Sequence, residues 1–90
     1  MAELVFEIWG NEHGSTLLRV GQQSDELRLL EPEPLKLLHT FTACSVHEAF
    51  QKNNDFLGFG IWDSGDTPDV MFTDLEAEEQ RLYLSKRVTD

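Results

Sequence analysis

Three side chains capable of nucleophilic or metal chemistry lie close together in the chain: His39, Cys44 and His47. A thiol just ahead of a helix N-terminus loses its proton readily, and an imidazole nearby could accept it. No oxyanion motif, positioned third residue or glycine-rich substrate loop accompanies the pair, so no residue is assigned a catalytic role. Cys44 reads instead as a small buried hydrophobe. The same trio suits zinc in softness, but it offers three unevenly spaced ligands where structural zinc takes four. His39 shares the parity of the apolar residues around it and reads as a core histidine bonded to a backbone carbonyl, while His47 reads as facing solvent. Gly58-Phe59-Gly60 lacks the remaining glycines and the lysine of a phosphate loop. An EF-hand register opened at Asp63 meets Gly65, Pro68 and Asp74 where it needs an acid or amide, a glycine and a glutamate. No metal and no cofactor is expected.

The sharper feature is a run of acids. Asp63, Asp66, Asp69, Asp74, Glu76, Glu78 and Glu79 succeed one another without an intervening base. Complementary charge of this kind speeds encounter with a basic partner and rejects wrong ones. Trp62, next to Asp63, adds an aromatic face able to take a cation. The plainer reading is a solvated loop followed by a helix start, whose acids complement the helix dipole. Nucleic-acid mimicry would need acids spaced along one face like phosphates.

Composition limits the partners. Seventeen acids against seven bases give a net charge of −10. A surface this negative repels nucleic acid and anionic lipid, since phosphate contacts need Lys and Arg. Glu3 and Glu7 sit where a secretion signal would be positive and then apolar, and Cys44 is the only cysteine. Both point to a reducing, cytoplasmic setting. Leu, Ile, Val and Phe supply 26 of the 90 residues, too many for a disordered chain, and the length suits one domain spanning 1–90.

Something must position these residues. Leu4, Phe6 and Ile8 alternate with polar or mixed neighbours and predict a strand over 3–9. Residues 10–15 carry turn chemistry, and 16–20 predict a second strand, giving a hairpin with a six-residue loop. Residues 25–30 alternate and are read as a strand, with one helical turn capped by Ser24 as the alternative. Pro32 and Pro34 end that segment. Leu35, Leu37, His39, Phe41 and Ala43 share one parity and predict the best strand. Ser45-Val46-His47-Glu48 fits a capping box opening a helix that ends at Asn53-Asn54, with Val46, Ala49 and Phe50 inward and Glu48 paired to Lys52. Residues 56–62 are read as a buried strand or extended segment, and 63–68 as a loop. Thr73-Asp74-Leu75-Glu76 is a second capping box, opening a helix over 74–80 whose apolar stripe is poor. Residues 81–88 either continue it or turn back as a strand, and Arg81, Lys86 and Arg87 are expected to pair with Glu78, Glu79 or the helix end.

The expected fold is therefore α+β: a mostly antiparallel sheet of four or five strands, with one central and one C-terminal helix on one face. Its core would be Leu4, Phe6, Ile8, Leu37, Phe41, Val46, Phe50, Phe59 and Ile61. Trp9, Leu18, Leu30 and Leu38 lie on the opposite parities, and an apolar second face would call for a homodimer. The function expected is a protein-binding or regulatory module docking a basic partner through Trp62 and the acids. The alternatives are a small enzyme or ligand-binding domain with a site formed across a homodimer, and a structural subunit of a larger assembly.

Overall fold

A computed structural model of the chain describes residues 2–87. In chain order the elements are β1 (Leu4–Asn11), β2 (Gly14–Arg19), α1 (Gln22–Leu29), β3 (Lys36–Ala43), α2 (Val46–Leu57) and α3 (Asp74–Lys86). The class is α+β. The described sheet has three strands rather than four or five, all antiparallel, in the order β2-β1-β3.

β1 takes the centre, pairing with β2 on one side and β3 on the other. Leu4 and Ile8 are fully buried and Phe6 nearly so; burying each such side chain is worth about 1.5–3 kcal/mol. Cross-strand partners share a face, which places Leu17, His39, Phe41 and Ala43 on the inner face with them. Phe6 stacks on Phe41, with ring centroids 5.7 Å apart, and meets Phe72 at the same separation. Ala49 from α2 and Ala77 from α3 close this core.

The hairpin is tighter than the six-residue loop expected. Gly10 pairs with Ser15 and Asn11 with Gly14, so only Glu12 and His13 remain in the turn. Asn11 Oδ1 accepts from the His13 N–H, which fixes the corner. Gly10 is required by crowding: a Cβ there would lie 2.8 Å from Leu38 Cδ1 and 2.9 Å from the Gly14 carbonyl oxygen.

The two missing strands have separate physical causes. Residues 25–30 fall largely in a helix because 22–30 contain no β-branched residue and are rich in Gln, Glu, Leu and Arg. Its N-cap is Gly21, not Ser24. Gln22 donates to Glu26 one turn on. A four-residue alternation was too short to outweigh that propensity. Residues 56–62 fail because α2 runs past Asn53-Asn54 to Leu57, where Gly58 closes it with a left-handed φ of 78°. Phe59 and Ile61 are consequently 70% and 91% exposed rather than core. Phe50 is 38% exposed, outside the buried core, and Val46 half-buried.

A β-bulge corrects a further expectation. Ile8 pairs with His39 but Trp9 pairs with Leu37, so Leu38 is the extra residue. Leu37 therefore leaves the inner face for the outer one, beside Trp9, and is half-exposed. The bulge also explains why Leu38, of the opposite parity, lies over Gly10.

α3 continues through Lys86, and position 88 lies outside the described residues. Its stripe is not missing; it is polar. Ala77, Gln80, Tyr83 and Arg87 recur at helical spacing. Ala77 packs on the inner core, and Gln80 is buried at the end of the sheet. The Gln80 amide accepts from the Val5 N–H at 2.7 Å and donates to the Val5 and Val20 carbonyls at 2.9 and 3.0 Å. It thus stands where one further rung of the β1–β2 ladder would form. α2 and the start of α3 cover the inner face; α1 and the end of α3 reach the outer one, so the helices are not confined to a single side.

Candidate functional site

The acidic segment descends from Gly58 and runs back beside α2. Gln51 holds it, accepting from the Trp62 N–H at 2.9 Å and donating to the Gly60 carbonyl at 3.1 Å. Trp62 stacks on Phe50 with centroids 4.8 Å apart and meets the His47 ring at 5.0 Å. Further on, Val46 N–H donates to Val70 and Phe72 N–H to Cys44, a single antiparallel bridge in place of a strand.

The acids divide into two groups. Three are tied to the start of a helix or to a base. Asp69 accepts from the His47 and Val70 N–H groups at 2.9 and 2.8 Å. The His47 bond, at the N-terminus of α2, is the main reason its carboxyl sits below the ordinary value. Glu76 completes the capping box with Thr73 and pairs with Arg19 at 3.0 Å; the Thr73 N–H is the largest influence holding its carboxyl down. Glu78 pairs with Arg81, as the charge order of the helix implied. Asp63, Asp66, Asp74 and Glu79 are exposed and form no ion pair among the described residues. Asp63 accepts from the Gly65 N–H, which shapes the turn. Large apolar side chains are interleaved with the acids: Phe59, Ile61, Val70, Met71 and Leu75 are all half-exposed or more.

The trio of His39, Cys44 and His47 does not converge. His39 is exposed at the open edge of the sheet and stacks on Phe56 at 4.5 Å, so it is not the core histidine expected. The Cys44 thiol points to Glu3, 3.8 Å away. Desolvation, then the charges of Glu48 and Glu3, push it above the ordinary thiol value, the reverse of an activated nucleophile. His47 is half-buried rather than solvent-facing, with Nδ1 3.8 Å from Asp69. Glu48 accepts from the Cys44 N–H, and Lys52 donates to the Thr42 carbonyl, so the expected Glu48–Lys52 pair is not made. The donors that do cluster are Glu12, His13 and Glu33, all exposed, with His13 Nε2 2.8 Å from Glu33.

Sequence reasoning missed the polar centre on the outer face. Arg87, with its side chain 8% exposed, donates to both Glu7 oxygens at 2.9 and 2.7 Å and to both Asp25 oxygens at 2.9 and 2.8 Å. Trp9 Nε1 donates to Glu7 at 2.9 Å, and the Tyr83 hydroxyl donates to Asp25. Burial pushes the Glu7 and Asp25 carboxyls upward, but these donors and the Arg87 charge outweigh it and hold both below their ordinary values. The only advance signal was Glu7 inside an otherwise good strand; Arg87, which neutralises it, lies 80 positions away, and Asp25, the other carboxylate Arg87 serves, 18. No protein-family model, no curated protein and no solved structure matches the chain. No helix among the described residues is long and apolar enough to cross a membrane.

Proposed function

We propose that the chain is a protein-binding module of a reducing, cytoplasmic setting that docks a basic partner through Trp62 and the acids of 63–79. One observation carries this reading: along a single stretch, exposed carboxylates that pair with no base among the described residues are interleaved with exposed large apolar side chains. Carboxylates alone would steer a cationic partner, and the apolar residues give the contact its desolvated centre. Asp63, Asp66, Asp74 and Glu79 do the steering. Asp69, Glu76 and Glu78 chiefly shape the surface, since each has an internal partner. Phe59, Ile61, Val70, Met71 and Leu75 supply the apolar contact, with Trp62 already seated on Phe50. A partner with basic residues around an apolar stripe fits this pattern. Self-association fits less well, because each copy carries −10.

The test compares partners captured by the immobilised chain with those captured by Asp63→Asn/Asp66→Asn, by Ile61→Ser, and by Glu31→Gln/Glu33→Gln as a charge-matched control elsewhere. A partner lost from the first two variants, kept by the control and released by about 0.5 M salt is the expected result. Retention of every partner by the first two variants would end the proposal.

A further inference from the structure

The outer face of the sheet holds a cavity separate from the acidic segment. Between α1, β1 and the start of β3 it encloses about 680 Å3, within the range of small-molecule sites. Trp9, Leu29, Leu35 and Leu37 give it apolar walls, and Arg28 brings charge to the same space. The bulge at Leu38 builds it, by turning Leu37 to this face.

The two arginines at the cavity differ in how they are matched. Arg87, at the back of the cavity, is fully matched by Glu7 and Asp25. Arg28 is not. Its guanidinium lies 4.0 Å over the Trp9 ring, and its Nε is buried with no acceptor among the described residues. The one carboxylate within 4 Å of it among the described residues, Asp25, stands 3.7 Å away, beyond hydrogen-bond reach, and already serves Tyr83 and Arg87. Lys36 is exposed, and its cross-strand partner is Gly10, of the inner-face parity, so its side chain leaves β3 on the face opposite Trp9 and Leu37. Glu26, the remaining acid at the cavity, accepts from Gln22.

We propose that this cavity binds a small carboxylic acid with an apolar body. The carboxylate meets Arg28, and the body lies against Trp9, Leu29, Leu35 and Leu37. A neutral apolar molecule would leave Arg28 without a counter-charge in hydrogen-bond reach, and a bare anion would leave the apolar walls wet.

The test titrates the full chain, carrying Trp62→Phe so that Trp9 alone reports, with octanoate and 3-phenylpropionate. The matching primary amides and inorganic phosphate are titrated in parallel. Saturable quenching or enhancement of Trp9 by the acids below about 1 mM is expected, with the amides at least about ten-fold weaker, the loss of one charge-assisted hydrogen bond. Arg28→Met weakens the acids at least about ten-fold, and Lys52→Met leaves binding unchanged. Amides as tight as acids, phosphate as tight as the acids, full affinity in Arg28→Met, or no saturable binding would each overturn the proposal. Asp63→Asn/Asp66→Asn is expected to bind the acids normally, which keeps this site distinct from the docking surface.

Discussion

Arg87→Met isolates the forces on the outer face. The substitution keeps most of the apolar stem and removes the cation that joins Glu7 to Asp25. Removing one partner of a buried ion pair costs about 3–5 kcal/mol, because the charge left behind stays desolvated. Here the figure is about 3 kcal/mol, the low end of that range, since Trp9 still donates to Glu7 and Tyr83 to Asp25. That is a large share of the roughly 5–13 kcal/mol available to a chain of this size. In urea, with a slope near 1.5 kcal/mol/M, the unfolding midpoint falls by about 2 M at pH 7. The pH dependence supplies the sharper check. In the intact protein both carboxyls titrate below their ordinary 4.5 and 3.8. Their contribution is present above those values and is lost as the pH falls through the lower, folded-state ones. Without Arg87, burial dominates and the two folded-state values rise above the ordinary ones. The variant's deficit is then largest near neutrality and shrinks as the pH falls towards about 4. Glu7→Gln added to Arg87→Met restores part of the loss, because one stranded charge is gone. A deficit under about 1 kcal/mol at pH 7, or one independent of pH, would show that Arg87 is not what neutralises this centre.

Two further outcomes follow from contacts already described. Gln80→Ala leaves the Val5 N–H and the Val20 carbonyl without their partner at the end of the β1–β2 ladder. A loss of about 2–4 kcal/mol by urea unfolding, with faster hydrogen exchange at Val5, is expected; unchanged exchange there would contradict the rung. Cys44 reacts with iodoacetamide near pH 8 more slowly than the same thiol in the unfolded chain, because desolvation and the Glu48 and Glu3 charges disfavour its thiolate. Equal rates would contradict that environment.

Local signals carried β1, β2, β3 and the starts of α2 and α3. Each rests on neighbours in sequence: the alternation of Leu4, Phe6 and Ile8, the Ser45 side chain on the Glu48 N–H, and the reciprocal Thr73 and Glu76 bonds. The same local signals misread 25–30, because a four-residue alternation fits helix and strand alike, and they placed Phe59 and Ile61 in a core that the extra turns of α2 carry them past. The acidic run could be read directly, since a charge count needs no fold. Which acids remain free could not, because Arg19 reaches Glu76 from another element and Asp69 bonds the start of α2.

By itself, then, the amino-acid order determined the α+β class, the three strands, the N-caps of α2 and α3 and the excess of negative charge. Tertiary structure alone decided the polar side of the molecule. The Arg87–Glu7–Asp25 centre, the Gln80 rung and the Leu38 bulge unite residues up to 80 positions apart. The face of α3 that makes those contacts is written in Ala, Gln, Tyr and Arg, and hydrophobic periodicity cannot register it: its burial is stabilised by partners that exist only once the sheet has formed.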